Sequence, residues 1–398
     1  MYSKIMFYPR KLLQDLEKQI NTREIVVLTG MRRVGKTTLY QALFEKVESK
    51  NKAFLDLENP LEQRVFEEKD YSNIPSNLKE YGIDPGMKIY LFLDEIQAKP
   101  EAVGAIKYLY DHYNIKFFLT GSSSFYLKNI FPESLAGRKF IFHLFPLDYE
   151  EFLIFKDRRK KFWPTLAQKD KNKNYIAYEK EKKFYEEYLK FGGFPEVALA
   201  DSDEQKLMKL NDIFKSYFEK EVRNLADFGK IGAFRDLILL LARRTGNKLD
   251  ITRLASEIET SRVTCYSYLE FLQGTFFISL VTPFSRSIDR EVSGSKKVYF
   301  CDQGIVNQFA KIDEGNLFEN SVFNNLRQFG KLNYYQKRSG AEIDFVVNEE
   351  FGIEVKMKGL ESDLKRLMSV GKKMGLKEFY VVSKGFVNKP GFIPATDI

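Results

Sequence analysis

The segment Gly30-Met31-Arg32-Arg33-Val34-Gly35-Lys36-Thr37-Thr38 has the residue types and spacing to hold a polyphosphate. It fits the pattern G-x-x-x-x-G-K-[ST], with an apolar run, Ile25–Thr29, before it and a helical stretch after it. Gly30 and Gly35 let the chain wrap with its N–H groups aimed inward as an anion nest. Lys36 is expected to reach the β- and γ-phosphates, and Thr37 to offer its hydroxyl to Mg2+. The amino terminus of the following helix adds partial positive charge. Gly30, Arg33, Val34, Gly35, Lys36, Thr37 and Thr38 are therefore the residues expected against a nucleotide, with ATP and Mg2+ as the cofactors.

A second run, Ile89-Tyr90-Leu91-Phe92-Leu93-Asp94-Glu95, is an apolar strand that ends in two acids. The carboxyl ends of strands face the ligand crevice of an open α/β sheet. Asp94 there can hold Mg2+ through water, and Glu95 can polarise an attacking water. A third run, Phe117-Phe118-Leu119-Thr120-Gly121-Ser122-Ser123-Ser124, again ends in hydroxyls. In the additional-strand class of phosphate-loop proteins this strand inserts between the first two elements, and its terminal hydroxyl senses the γ-phosphate. Thr120 is the simpler choice and Ser122 the other; an ordinary strand-to-helix turn is the plain reading.

Chemistry of another kind is concentrated near the carboxyl end. In Ala341-Glu342-Ile343-Asp344-Phe345-Val346-Val347 the alternation puts Glu342 and Asp344 on one strand face. Gly352-Ile353-Glu354-Val355-Lys356 follows, with Glu354 and Lys356 sharing a face. Two adjacent strands would bring Asp344, Glu354 and Lys356 together, and Glu319 opens a helix upstream. This set resembles the PD-(D/E)XK nuclease superfamily, in which a helix acid and two strand acids hold Mg2+. The resemblance implies Glu319, Asp344 and Glu354 as metal ligands and Lys356 as the group that orients water or offsets developing charge. Ile343 stands where the motif has Pro. The plain alternative is a solvated sheet face that happens to carry Glu-x-Lys.

The elements that must position these groups are legible as a pattern. Runs at Ile25–Thr29, Ala53–Leu57, Ile89–Leu93, Lys116–Thr120 and Lys139–Leu144 alternate with helix-length stretches, the signature of a parallel sheet covered on both faces. A basic stretch, Lys156–Lys183, comes next and reads as an exposed insertion, a loosely ordered linker or an arm that contacts nucleic acid. Helical periodicity resumes at Phe184–Lys190, breaks at Gly192-Gly193-Phe194-Pro195, and returns through Glu204–Arg223 and Ile231–Arg244. Leu249–Phe284 has the order helix, turn, helix, strand, with Lys297–Phe300 as a partner strand, which is the order of a winged helix. Arg262 is the only strong cation on its second helix, so contact with DNA and contact with protein both remain open. Asn316–Ile398 reads helix, strand, strand, helix, strand.

Composition bounds the rest. The 398 residues carry a net charge of +8, which suits an acidic partner or a lysine-rich solubilising surface. Two cysteines, Cys265 and Cys301, give no disulfide framework and point to a reducing, cytoplasmic compartment. Met1–Arg10 lacks a signal-peptide core, and no apolar run is long enough to span a membrane.

Taken with Leu93-Asp94-Glu95-Ile96-Gln97, Ser134-Leu135-Ala136-Gly137-Arg138, Pro146-Leu147, Glu151-Phe152 and Gly192–Glu196, the phosphate loop resembles that of prokaryotic AAA-type ATPases with a carboxyl-terminal domain of unknown function. These are akin to archaeal-type ATPases and, more distantly, to STAND switch ATPases. The resemblance implies Arg138 as an arginine finger, acting on this subunit's nucleotide or a neighbour's, against the plain reading of a salt-bridged surface arginine. It places Pro195 near adenine. The expected fold is α/β: an AAA+ phosphate-loop core over residues 1–155, a basic insertion and helical lid over 156–244, a winged helix over 245–313 and a restriction-endonuclease-like domain over 314–398. The expected partners are ATP and nucleic acid, DNA before RNA, with no membrane and with a homo-oligomer or a protein partner open. The expected function is ATP hydrolysis coupled to DNA processing or defence; the alternative is an ATP-driven switch whose last domain binds without cutting.

Overall fold

Five apolar runs form one parallel sheet, β1 (Ile25–Thr29), β2 (Lys52–Asp56), β3 (Ile89–Asp94), β4 (Ile115–Gly121) and β5 (Lys139–His143). The computed structural model describes residues 7–122, 137–222, 231–287, 291–292, 294–310, 312–337 and 340–398. It divides into two compact units, Met1–Phe145 with Gly274–Phe276, and Pro146–Gln273 with Phe277–Ile398.

In the first unit the strand order is β2-β3-β4-β1-β5. Every pairing is parallel, and β4 lies between β1 and β3 as the additional-strand reading requires. Each residue of β1, β3 and β4 is buried, Lys116 of β4 included, which is why these strands read as mainly apolar runs. The helix α1 (Lys36–Lys46) seats on one sheet face through Tyr40. That ring meets Phe92 and Phe118 edge-on at 5.7 and 5.9 Å, and its hydroxyl donates to Val26 O at 3.1 Å. Phe92 and Phe118 stack at 4.4 Å, so adjacent strands are locked under the helix that carries Lys36. On the opposite face Ala102, Ile106 and Leu109 of α2 (Ala102–His112) join Val27, Leu91, Leu93 and Leu119 in one core.

The second unit opens with α3 (Tyr149–Phe155), started by a capping box between Asp148 and Glu151. The basic stretch that follows is ordered, which corrects the reading of a loose linker. Thr165 caps α4 (Leu166–Asn172) and Asn174 caps α5 (Tyr175–Phe191). Lys169 donates to Asp397 O at 2.6 Å, and Asp170 accepts from Gly391 N at 2.9 Å. Short caps and contacts with residues more than two hundred positions away hold this stretch, and neither leaves an apolar period. Next come α6 (Asp203–Tyr217), α7 (Ile231–Arg243), α8 (Ile251–Glu257) and α9 (Arg262–Gly274), then the antiparallel pair β6 (Ile278–Val281) and β7 (Lys297–Phe300).

After α10 (Gln303–Phe309) and α11 (Glu314–Leu326) a five-stranded mixed sheet forms, ordered β12-β11-β10-β9-β8. Its strands are β8 (Leu332–Gln336), β9 (Glu342–Val347), β10 (Phe351–Lys356), β11 (Glu378–Ser383) and β12 (Phe392–Pro394), with α12 (Glu361–Met374) between β10 and β11. The edge strand β12 was not expected; three residues ending in proline are too few to show a period. Cys265 and Cys301 are both buried thiols. Among the described residues no helix is long and apolar enough to cross a membrane.

The Gly192-Gly193 break has a partner that the sequence hides. Gly192 takes φ +79°, and a Cβ there would lie 2.0 Å from Asp302 Oδ1; a Cβ on Gly193 would lie 2.2 Å from Leu147 O. Asp302 accepts from Gly193 N at 2.6 Å, Gly304 N at 2.9 Å and Ile305 N at 3.2 Å, so it caps α10 and pins the turn. Burial pushes its carboxyl up to about 6, with the three N–H donors opposing that rise. Asp302→Ala would leave buried donors unpaired and should destabilise the second unit by about 2–4 kcal/mol, while Asp302→Asn should lose less. Urea denaturation of the two variants checks this; equal loss in both would show that the hydrogen bonds are not the cause.

Candidate nucleotide site and acidic cluster

The phosphate loop joins β1 to α1 and lies where the carboxyl edges of β1, β3 and β4 meet. Register pairs Leu28 with Thr120 and Leu93 with Leu119, which brings Thr29, Asp94 and Thr120 to one edge. Gly30 is required by close approach, since a Cβ there would lie 2.1 Å from Leu144 O. Gly35 and Arg33 take left-handed conformations at φ +96° and +64°. Val34 is buried, and its carbonyl accepts from the buried Arg10 at 2.9 Å. Arg10 also donates to Phe145 O at 2.7 Å, so a residue outside the motif braces the loop from behind. The buried Lys36 turns its ammonium to Gly30 O at 2.9 Å and Met31 O at 3.1 Å. Thr38 follows Thr37 in the first turn of α1.

Thr37 donates to Asp94 Oδ2 at 2.7 Å, which ties the loop to the end of β3. Thr120 donates to the other Asp94 oxygen and accepts from Glu95 N at 2.9 Å. Burial raises the Asp94 pKa, the two hydroxyls oppose that, and the charges of Glu95 and Asp56 add to the rise. Glu95 itself sits in the left-handed region at φ +53°, a strained choice for a residue with a side chain. Its carboxylate accepts from Gln97, which also donates to Ser122 Oγ at 3.1 Å. Gln97 is thus a positioning residue that spacing alone did not single out.

Arg138 lies elsewhere. Its carbonyl accepts from Ile25 N, and it precedes β5, so it stands at the amino edge of the sheet. Its guanidinium pairs with Asp111 at 2.9 Å and lies over Tyr110. The length of β1, on the order of 13 Å at ~3.3 Å per residue, separates it from the loop. Of the two actions implied for an arginine finger, the one on its own subunit's nucleotide is removed by this geometry. Ser134, Leu135 and Ala136 of the same motif lie outside the described residues. Pro195 is the first residue of a short helix, Pro195–Ala198, in the second unit.

The second unit gathers the carboxyl-terminal acids. Lys356 Nζ lies 2.8 Å from Glu354 Oε1 and 3.9 Å from Asp344 Oδ2. Asp344 accepts from Val355 N at 2.8 Å, so its side chain occupies a ladder position between β9 and β10. Arg366 of α12 donates to Glu354 at 2.6 Å. Glu319 is held to one side: Tyr299 donates to it at 2.6 Å, and Lys297 lies 3.6 Å away. Lys297 also pairs with Glu342 at 2.7 Å. Burial raises the pKa of Asp344 and of Glu354, the latter further through Asp344. It pushes Glu319 up to about 7, with the Asp344 charge adding to the rise. Burial would lower Lys356, but the carboxylates of Asp344 and Glu354 hold it above its usual value. Glu354 Oε2 is buried and accepts no hydrogen bond, which fits a cation ligand. No group of three or more His, Cys, Asp or Glu side chains is arranged to hold a metal among the described residues. Lys297, Tyr299 and Arg366 were not anticipated, because each comes from an element distant in sequence.

Residues 22–153 match the AAA domain family, and this stretch has the parallel sheet and loop of a phosphate-loop ATPase domain. Two families described as domains of unknown function, DUF8612 and DUF4143, match residues 182–316 and 314–394. The chain belongs to the same family as an uncharacterized protein of Methanocaldococcus jannaschii, to which it is 31% identical over 352 residues, 84% of this chain and 74% of that one. It is similar also to an uncharacterized protein of Haemophilus influenzae, 26% identical over 87% of this chain and 85% of the other. Among solved structures it is similar to the Walker-type ATPase of Pyrococcus abyssi, with a TM-score of 0.49 and 15% identity over 76% of this chain and 96% of that one.

The raised acids fix the sign of a pH dependence. A carboxyl whose folded pKa exceeds its unfolded value binds more protons when folded, so its contribution is full below the unfolded pKa and is lost as pH rises. For Glu319 the window runs from its ordinary value, 4.5, to about 7. The second unit should therefore lose stability as pH rises across that window, and Glu319→Gln should flatten the dependence. Thermal denaturation from pH 5 to 8 measures it; the same slope in both proteins would remove Glu319 as its source.

Proposed function

We propose that the chain hydrolyses ATP in its first unit and couples nucleotide state to DNA processing or defence through a metal-dependent, nuclease-like centre in its second. The proposed parts are the AAA+ core at 1–155, the basic insertion and lid at 156–244, a winged helix at 245–313 and the nuclease-like domain at 314–398. In the first unit Lys36 and the loop N–H groups bind the β- and γ-phosphates. Glu95, oriented by Gln97, accepts a proton from the attacking water. Thr37 and Asp94 are hard oxygen donors already in contact and fit Mg2+, which would neutralise charge on the phosphates. Thr120 reads the γ-phosphate only if its bond to Asp94 opens. Arg138 acts on a neighbouring subunit's nucleotide, which makes the oligomer part of this reading. Pro195 packs near adenine.

The observation that carries the nuclease-like reading is Glu354 Oε2, buried and without a hydrogen bond, beside an ammonium that bridges to Asp344. Asp344 and Glu354 would hold Mg2+, which would polarise a phosphate oxygen, and Glu319 would join them only on leaving Tyr299 and Lys297. Lys356 orients the attacking water. The switch reading also has an observation in its favour. Lys356, Arg366 and Lys297 already offset the acids, so the cluster is compatible with a domain that only binds.

Cleavage of single- and double-stranded DNA and RNA with Mg2+ or Mn2+, with and without ATP, tests the first reading. The wild type should cut and the Asp344→Ala/Lys356→Ala variant should not. No cutting on any substrate, with ATP turnover intact, selects the switch. In the ATPase unit Glu95→Gln should slow turnover by ~10²-fold or more while ATP stays bound. An unchanged rate takes Glu95 out of the reaction. Arg138→Ala should lower turnover only under conditions in which the protein is assembled; equal loss in isolated monomers contradicts action between subunits.

A further inference from the structure

The basic stretch after α3 builds a pocket that neither site above uses. The loop Arg159–Trp163 and the first turns of α5 enclose a cavity of about 360 Å3. Arg159, Lys160, Lys161 and Lys180 line it, against the carboxylates of Glu181 and Asp397. Both carboxylates are engaged, Asp397 by Lys160 and Glu181 by Arg158 at 3.4 Å. Among the described residues no carboxylate pairs with Arg159, Lys161 or Lys180. Four cations, Arg159, Lys160, Lys161 and Lys180, thus face two carboxylates around one cavity, and the surplus of positive charge, carried by three exposed side chains, favours an anion there.

The pocket also holds Trp163, the single tryptophan of the chain, half-buried, with Lys161 Nζ 4.0 Å from its ring centroid. The loop is fixed rather than free. Lys160 is bound to Thr396 O at 2.6 Å, and Phe162 lies beneath the ammonium groups of Lys160 and Lys169. Asn174 spends its carbonyl oxygen on the cap of α5, and no bond is made by its NH2 group among the described residues. A rigid aromatic ring, cations beside it and an amide donor on the rim are the parts that recognise a base together with its phosphate.

We propose that this pocket binds a nucleotide unit of single-stranded DNA, with the base on Trp163 and the phosphates met by Arg159, Lys161 and Lys180. The base takes the indole face away from Lys161 or displaces that ammonium toward the phosphate. The site also connects to the acidic cluster through backbone. Tyr178 of α5 donates to Lys384 O at 3.0 Å, and Lys384 N donates to Lys356 O at 3.1 Å. A strand held on α5 is therefore held by the element that touches the end of β11, beside Lys356. The inference deepens the nucleic-acid reading above and rests on it.

The test uses the full chain with Lys36→Ala, so that nucleotide does not enter through the phosphate loop, and with EDTA, so that nothing is cut. Trp163 fluorescence is followed during titration with thymidine monophosphate and with an oligothymidylate of about 15 nucleotides. Quenching by the oligonucleotide at much lower concentration identifies a strand as the ligand; equal quenching by the monophosphate identifies a free nucleotide in the same site and overturns the strand. Arg159→Ala/Lys180→Ala should weaken the oligonucleotide and reduce the slope of log K against log salt by about 1.4, at ~0.7 per phosphate contact. Trp163→Ala, read by anisotropy of a labelled oligonucleotide, should bind about five- to a hundredfold more weakly, and Trp163→Phe should retain most of the affinity. No binding, or binding without quenching and with the salt slope unchanged in the double variant, overturns the proposal. Binding without cleavage by the wild-type chain once metal and ATP are restored would sink the nuclease reading alone; oligonucleotide binding unaltered in the double variant would sink the pocket alone.

Discussion

The Asp94 carboxylate is buried at the end of β3, where a charge is costly unless donors surround it. Two hydroxyls supply them, Thr37 from the phosphate loop and Thr120 from β4. Each bond also sets a distance. The first fixes α1 against the sheet edge, and the second requires β4 to lie next to β3 in register. Thr120 then accepts from Glu95 N, which helps hold the left-handed turn that aims the second acid. The five-stranded order, the insertion of β4 and the strain at Glu95 are thus parts of one solution to a single buried charge. Tyr40, wedged edge-on against Phe92 and Phe118, supplies the apolar half of the same solution.

The second unit solves a harder version of that problem. Asp344, Glu354 and Glu319 are all buried or nearly so; burial raises the proton affinity of each, and the Asp344 charge adds to the rise at Glu354 and Glu319. Three cations from three elements answer them: Lys297 of β7, Lys356 of β10 and Arg366 of α12. Removing one partner of such a set leaves a charge uncompensated, which is far costlier than never having buried it. The cluster therefore ties β7, β10, α11 and α12 together. One oxygen of Glu354 binds both Lys356 and Arg366, while the other is buried without a hydrogen bond.

The parts of this architecture that were legible share a physical cause. Strands buried on both faces must be largely apolar along their length, so β1, β3 and β4 stand out to within a residue or two, and β2 and β5, only partly buried, stand out by their short apolar runs between helix-length stretches. The phosphate loop was legible because a chain that wraps an anion with its own N–H groups restricts residue choice at fixed spacing. Alternation on β9 and β10 likewise placed Asp344, Glu354 and Lys356 together. What stayed hidden depends on partners far along the chain. Arg10 braces the loop from outside the motif, Arg366 reaches Glu354 from α12, and Asp302 explains Gly192, more than a hundred residues earlier. The order in α4 and the start of α5 comes from the caps Thr165 and Asn174, whose residue types are common in any loop.

Arg138 shows how strand direction limits what a residue can reach. Its segment follows the strand order, and parallel strands all begin at the edge opposite the phosphate loop, so any residue just before β5 must start there. The pair it forms with Asp111 is about one-third exposed on both sides, and such pairs contribute little to stability. The arginine can therefore leave Asp111 at low cost when a stronger anion is offered from outside the unit. Phosphate is such an anion, because the planar guanidinium fork matches its oxygens better than it matches a solvated carboxylate. Within one chain the length of β1 prevents that meeting, whereas a second copy with its phosphate loop against this edge would allow it. The chemistry expected of Arg138 is thus tied to assembly by the direction of a parallel strand.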